Sequence, residues 1–299
     1  MKEIRMRCPG SCGEFLQGWL DGSEKLISYA IDCYSEMVLT TQPSPDGHAA
    51  FMEQHPRAWE MALQVVIQEG MKPQVLEEIS LCLTSDLPRG KGMASSTADL
   101  AVTAAAVAQW LGHTLTPEEI TWHCTRLEPT DSILYPGLVL MDPLTGIVSR
   151  AYGQPPSMGI LVLEGLEAID TQTFRRQDHH LRRQAFQKEM EAALGIFEEG
   201  YRKNNHRLLA DACYQSALFQ QYFYPHPALE IVGQLAIEHG AWGVNVAHSG
   251  SSLGILHDPQ LFQLEPFLQN WHRCPSSSRY FPPRRHQMIS GGVRNRTMG

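Results

Sequence analysis

Helices and strands mixed along one chain, in two parts, are what the sequence predicts, and three observations carry that reading. Short apolar or β-branched runs split by Gly-rich turns occupy the stretch up to Pro43. Capped helical segments and alternating strands then succeed one another. Pro155–Pro156 punctuates a change in charge: residues 1–155 hold 10 basic and 19 acidic side chains, residues 156–299 hold 14 and 13. A length of 299 residues suits two domains, 1–155 and 156–299, or one large α/β domain. A compact chain of this size buries roughly 75% of its unfolded surface and needs no disulfide or structural metal for its core.

Taken in order, the segment Lys2–Pro43 predicts three or four strands, with Asp21–Gly22 as a hairpin turn. Ala58, Met61, Ala62, Val65 and Val66 recur near helical spacing up to Gly70. Ile79, Leu81 and Leu83 alternate with polar neighbours, as in a half-buried strand running up to Pro88. PRGKGMASSTADLAVTAAAVAQWLGH is a glycine-bearing loop followed by an Ala-rich helix ending near Gly112, with Ser96 as N-cap and Asp99 completing a capping-box pattern. Thr116 caps and Pro117 opens the next helix, which Pro129 stops. YPGLVLMDPLTGIVSRAYG reads as a hairpin and PPSMGILVLEG as the first strand of the second part. Helices follow over Arg176–Gly200, Asn205–Gln220 and Pro227–His239. WGVNVAHSGSSLGILHD is strand, Gly/Ser turn, strand, and a short helix near Pro259–Gln269 and a strand near His286–Val293 complete the chain. No long-period repeat recurs, which excludes a solenoid.

Composition removes several function classes. The formal charge of −8, concentrated in the first half, argues against a phosphate-tracking nucleic-acid surface there. The stretch Leu100–Leu111 is the most apolar and falls short of the ~20 residues a membrane helix needs, and the opening MKEIRMRCPG lacks a signal-peptide core. Seven cysteines, scattered and odd in number, form no disulfide framework, so reduced thiols and a cytoplasmic protein without a membrane partner are expected. Six arginines and no acid lie between Arg273 and Arg296, read as a solvated basic surface.

The segment Pro88–Asp99 is where chemistry concentrates. Small residues let a backbone approach a ligand, and the following helix start offers N–H groups and the positive end of its dipole, which suits phosphate. Lys91 can add a point charge, and a Ser95 or Ser96 hydroxyl can reach a Mg²⁺ ion on the phosphates. The segment matches neither the P-loop pattern nor the dinucleotide fingerprint. By local physics alone it suits a phosphate site and an ordinary strand, turn and capped helix equally well.

PRGKGMASSTA resembles the P-x-x-x-G-L-x-S-S-x-A signature of the GHMP small-molecule kinases, with Met93 in the Leu position. PGSCGE (Pro9–Glu14) and VNVAHSGSSLG (Val244–Gly254) lie where that family has its other two blocks. Together with QGW, GSEKL and EPTDS, they resemble most closely the L-threonine kinases of cobalamin biosynthesis, from Cys8 to Val293. The resemblance implies an α+β protein of two domains, the first like domain 2 of ribosomal S5 and the second ferredoxin-like, with ATP and a small substrate between them. It implies that Pro88, Arg89, Gly90, Lys91, Gly92, Met93, Ala94, Ser95, Ser96, Thr97 and Ala98 hold the triphosphate. It further implies that Ser96 and Glu128 hold Mg²⁺ and that Asp131 orients or deprotonates the acceptor hydroxyl, with Lys91 as a further catalytic group. Only Pro129 and Thr130 separate Glu128 from Asp131, whereas many family members have a longer insert there.

On the substrate side the candidates are Glu14, Asp32, Thr130, Asp131, His248, Ser249 and Gly250. Glu14 suits either a substrate ammonium or a structural role in its turn, Asp32 is similar, and the AHSGSS residues suit either ligand contacts or a tight turn. The implied reaction is transfer of a phosphoryl group from ATP to the hydroxyl of free L-threonine, with homoserine as the rival acceptor and a non-catalytic nucleotide-binding protein as the other class. Gly250–Gly254 also spells G-x-S-x-G, but the strand-like LGIL after it does not provide the helix a nucleophile elbow needs. Cys8 and Cys12 lack a third partner for a metal cluster, since Phe15 stands where one would be.

Overall fold

The computed structural model describes residues 3–42, 45–167, 184–247 and 250–296. Its first elements are two long strands, β1 (Glu3–Leu20) and β2 (Ser23–Thr40), joined at Asp21–Gly22. Both turn residues have positive φ, +49° and +81°, the geometry that matches a hairpin turn to strand twist. The sequence predicts three or four strands here, and the structure has two. PGSCGE does not end a strand but sits inside β1 as irregularities, with register shifts between Pro9 and Ser11, Ser11 and Glu14, and Glu14 and Leu16.

Helices α1 (Pro45–Gln54) and α2 (Pro56–Gln68) follow, and α2 buries Ala58, Met61, Ala62, Val65 and Val66, the face its periodicity predicts. Strand β3 (Ser80–Ser85) pairs with β2, and helix α3 (Ser95–Leu111) runs from the glycine loop to Gly112. Eleven of the 17 residues of α3 are buried, so its alanines let the neighbouring strands close in from several sides. Helix α4 (Pro117–Thr125) starts with a reciprocal capping box: Glu119 N–H donates to Thr116 Oγ1 at 3.2 Å, and Thr116 N–H to Glu119 Oε2 at 2.7 Å. Strands β4 (Leu138–Met141) and β5 (Val148–Gly153) form the expected hairpin.

Strand β6 (Gly159–Leu163) opens the second half. Of the expected helix 176–200, residues 176–183 lie outside the described ones, and α5 covers Gln187–Arg202. Helices α6 (His206–Gln220), capped by Asn205, and α7 (Leu229–Glu238) match expectation closely. Strands β7 (Gly243–Val246) and β8 (Leu253–His257) flank the Gly/Ser turn. Helix α8 (Leu264–Arg273) begins later than predicted, and the last predicted strand is interrupted at Gly291–Gly292, giving β9 (Arg284–Ile289) and β10 (Arg294–Asn295).

The antiparallel strand order is β10-β1-β2-β9-β6-β8-β7, with β3 and β4 also on β2. Strand β9 therefore joins the halves, pairing Ala30 with Ile289 and Gly159 with Gln287. The main core runs from Ile4 and Phe15 on the hairpin through α3 to Met190 and Phe197 on α5, and a smaller cluster around Phe267 and Trp271 lies against β7 and β8. The C-terminal arginines Arg279, Arg284 and Arg296 are exposed, as expected of a solvated basic surface, and form surface pairs with Glu167, Glu164 and Glu36. All seven cysteines are free. Among the described residues no helix is long and apolar enough to cross a membrane.

Candidate active site

Three positive-φ residues carry the chain onto α3: Gly90 at +69°, Gly92 at +73° and Ala94 at +56°. Ala94, in left-handed geometry and without a side-chain cap, is the N-cap, so the expected Ser96–Asp99 capping box does not form. Capping needs an extended residue whose oxygen turns back over the first turn, and this loop enters the helix the other way. The N–H groups of that first turn have no intrahelical acceptor. They lie beside a pocket of about 270 Å³ whose walls include His55, Arg89, Gly90, Ser95, Ser96 and Asp99. A helix start, small residues and an arginine around one opening suit an anion.

Asp99 serves this pocket rather than the cap. It accepts from Ser35 Oγ at 2.5 Å and stands 3.8 Å from the Arg89 guanidinium. Burial lifts its carboxyl above the ordinary range, the Ser35 hydrogen bond and Arg89 pull it down, and the charge of Glu128 raises it again. Glu128 is thus close enough to α3 for its charge to be felt there. Asp99 and the Ser96 hydroxyl on the pocket wall, with the charge of Glu128 felt at Asp99, are oxygen donors of the kind that suits a hard divalent cation. Among the described residues no three or more His, Cys, Asp or Glu side chains gather for a protein-only metal cage. Mg²⁺ is commonly held by one or two carboxylates plus phosphate oxygens, which is the kind of site this donor set offers.

Asp131 reaches the same helix turn. Thr97 Oγ1 donates to Asp131 Oδ2 at 3.1 Å and accepts from Asp131 N–H at 3.3 Å and from the Thr130 hydroxyl at 3.2 Å. One hydroxyl with one proton and two lone pairs is fully used. Beyond Asp131, Ser132 Oγ accepts from Ser28 N–H at 2.9 Å, and Ser28 is the register partner of Glu14 across the hairpin. Glu14 is buried, and its negative charge helps to hold the thiols of Cys12 and Cys213 above their usual range, after the larger effect of their burial.

Residues 57–133, spanning α2, the glycine loop, α3 and Asp131, match the GHMP kinases N terminal domain. Over 290 residues the chain is 33% identical to an L-threonine kinase of Salmonella typhimurium, covering 96% of this chain and 94% of that one. The chain belongs to the GHMP kinase family. An L-threonine kinase of Citrobacter freundii is 32% identical over 289 residues, covering 96% of this chain and 98% of the relative. In fold, the chain is similar to a homoserine kinase from Cytophaga hutchinsonii, with a TM-score of 0.65, 17% identity and coverage of 99% and 98%. The α+β GHMP kinase fold and kinase activity expected from the motifs are therefore met.

Within this GHMP kinase the three sequence blocks meet in space. Asn245 Nδ2 donates to the Cys12 carbonyl at 2.6 Å, and the Tyr29 hydroxyl lies 2.8 Å from that carbonyl and 2.9 Å from Asn245 Oδ1. Ser11 N–H donates to the Met93 carbonyl at 3.2 Å, while the side chains of Met93 and Ala98 are buried in the core. The first block is thereby fastened to the other two.

Two of the expected site residues are held by partners within the protein. Lys91 is not a free charge over the loop: its ammonium donates to the carbonyls of Gly165, Leu166 and Glu167 at 2.7, 2.9 and 2.9 Å. Asp32 is exposed and is engaged by strand β9, accepting from His286 Nδ1 and Gln287 N–H at 2.9 Å each, so it fastens the two halves of the sheet. Gly250 lies against Lys91 and Gly92, and His248 and Ser249 lie outside the described residues. Sequence reasoning gave no individual role to Thr97, and it passed over Ser35 and Asn245. Asn245 stood within a recognised block, but its partners are more than two hundred residues away.

Proposed function

We propose that this GHMP kinase transfers the γ-phosphoryl group of ATP to the side-chain hydroxyl of free L-threonine, giving O-phospho-L-threonine and ADP. The observation that carries the reading is the bond from Thr97 to Asp131, which sets a carboxylate on the same helix turn that presents N–H groups to an anion. Residues 88–98 bind the triphosphate through their backbone, with Arg89 at the mouth of the pocket. Ser96 and Glu128 would hold Mg²⁺, which supplies positive charge to the phosphate oxygens when bound. Asp131 orients the acceptor hydroxyl and takes its proton; an aligned oxygen lowers the barrier even when the base is weak. Glu14, buried along the wall that runs from Asp131 through Ser132 and Ser28, receives the ammonium of the amino acid, and Thr130 positions Asp131 through Thr97.

The two parts, 1–155 and 156–299, act as lobes, with Gly250 on the acceptor side. L-threonine is favoured over other alcohols because full-length similarity at about a third identity is to L-threonine kinases. The product would supply the side chain of cobalamin in the cytoplasm, a setting that suits the free cysteines. The test is an acceptor screen with ATP and Mg²⁺ across L-threonine, L-serine, L-homoserine and mevalonate, with the phosphorylated product identified. L-threonine is expected to give the highest kcat/KM. A preference for homoserine would overturn the substrate, and absence of ATP turnover with every acceptor would overturn the kinase mechanism.

A further inference from the structure

Three backbone segments far apart in sequence meet without intervening side chains behind the glycine loop. A Cβ on Gly92 would stand 2.8 Å from Gly250 N, one on Gly250 would stand 1.8 Å from the Lys91 carbonyl oxygen, and one on Gly165 would stand 2.6 Å from the Ser251 carbonyl oxygen. Contacts this close admit only glycine. One cation lies across the junction. The Lys91 side chain, 6% exposed, directs its three ammonium donors at three consecutive carbonyls, Gly165 to Glu167, and its Nζ is 5.7 Å from the centre of the Phe281 ring. Ser251 Oγ donates to the same Glu167 carbonyl at 2.5 Å. An ammonium has three donors, and all three are engaged within the protein.

We infer that Lys91 is a positioning residue, a buried latch that fixes the phosphate loop to residues 165–167 and to the Gly250–Ser251 turn, and that its charge acts on these carbonyls instead of on the nucleotide. The inference rests on the reading of residues 88–98 as the phosphate loop. Backbone N–H groups bind phosphate well only when they are held in place before it arrives, because ordering a loose loop on binding subtracts from affinity. Charge-assisted bonds to a buried ammonium supply that rigidity. The latch therefore acts on the whole polyphosphate and makes no distinction between ATP and ADP, whereas a lysine touching the γ-phosphate favours ATP. A guanidinium keeps the charge but cannot converge on three neighbouring carbonyls in the same space.

The experiment compares wild type with Lys91→Met, Lys91→Arg and the milder Ser251→Ala. It measures hydrogen exchange without nucleotide, ADP and ATP dissociation constants, and KM and kcat. The reporting amides are Leu166, which donates to the Arg279 carbonyl, and Phe281, which donates to the Glu164 carbonyl, both at 2.8 Å. Lys91→Met is expected to speed exchange at Leu166 by about tenfold or more, since hydrogen bonds to a charged group are each worth more than a kilocalorie. ADP and ATP affinities should fall by the same factor and KM for ATP should rise, with kcat at saturating ATP near wild type. Lys91→Arg should fail to restore them, and Ser251→Ala should move all of them in the same direction by a few-fold, which keeps a measurement available if Lys91→Met does not fold. Unchanged exchange at Leu166, loss of ATP affinity with ADP affinity intact, or full rescue by arginine would overturn the latch. A wild type that binds ADP and shows the exchange effect but phosphorylates no acceptor would overturn the proposed reaction and leave the latch standing.

Discussion

Thr97 Oγ1 stands 3.1 Å from Asp131 Oδ2, and that bond links the first turn of α3 to the residue that follows the Glu128–Pro129–Thr130 turn. The helix offers N–H groups to an anion, and the carboxylate beside it can hold a hydroxyl. In the proposed reaction these two parts need a fixed separation, and the Thr97 bond would help to hold it.

Replacing Asp131 by Asn keeps the side chain's size and removes its charge and proton affinity. kcat on L-threonine is expected to fall by about 10²- to 10⁴-fold with ADP affinity within twofold of wild type. Thr97→Val, which removes the hydroxyl and keeps the shape, should lower kcat by a smaller factor of about ten, since the acid remains but loses its anchor. Steady-state kinetics beside an ADP titration, on variants with wild-type circular dichroism, check both. Near-wild-type kcat for Asp131→Asn would remove its catalytic role.

Gly92 has φ +73°, and a Cβ there meets Gly250 N at 2.8 Å and the Ala247 Cβ at 2.9 Å. Gly92→Ala should therefore carry about 1–2 kcal/mol of backbone strain and push the loop off the Gly250 turn. KM for ATP is expected to rise about tenfold or more, with a smaller loss of thermal stability. Unchanged nucleotide binding in the folded variant would mean that this loop does not cradle the phosphates.

Ser96→Ala and Glu128→Gln each remove one hard oxygen ligand of the proposed metal site. The Mg²⁺ concentration for half-maximal rate should rise about tenfold or more in each. Glu128→Gln should also let the Asp99 carboxyl return toward its ordinary range, because the charge of Glu128 is one of the influences that raise it. Rate against Mg²⁺ and a carboxylate titration by NMR are the measurements. Mg²⁺ curves superimposable on wild type for both variants would discard the assignment.

His226 gives the fold a pH dependence whose sign follows from burial. The side chain is 5% exposed, and desolvation lowers its pKa from 6.5 to about 4. The unfolded chain binds the proton first as pH falls, so stability contributed by neutral His226 is intact above pH 6.5 and declines from there toward about pH 4. The full loss is about 3 kcal/mol across that interval. Urea unfolding at pH 7, 5.5 and 4.5 should show the midpoint falling, and His226→Gln should flatten the dependence. An equal slope in the variant would assign the effect to other groups.

Much of the local architecture was legible in the sequence because its causes are local. Asp21–Gly22 turns the hairpin through its own backbone, Thr116 and Glu119 cap α4 three residues apart, and the five buried residues of α2 lie on one face by helical spacing. The loop's place before α3 was legible too, as glycines ahead of an Ala-rich run. Its capping was misread, because Ser96 and Asp99 have the right spacing for a box while the left-handed entry at Ala94 removes the geometry. The strand count in β1 was misread for a related reason: bulges and turns draw on the same glycines, and only pairing with β2 separates them.

By itself the sequence determined the element types, the family, and which residues are chemically able to serve a phosphate, a metal ion or a hydroxyl. Tertiary structure alone decided which partners each of them meets. Lys91 and Asp32 carry the right charges, yet Lys91 finds its carbonyls 74 to 76 residues away and Asp32 its histidine 254 residues away, and both are engaged in holding the fold. Thr97, expected only as one of the residues around the triphosphate, meets Asp131 across 34 residues and hydrogen-bonds to it. The physical reason is that periodicity and capping act over one or two turns of chain, whereas a side chain's partner is fixed by how sheets and helices close on one another. A one-dimensional pattern shows a donor or a charge, and the packed structure decides which acceptor lies 3 Å from it.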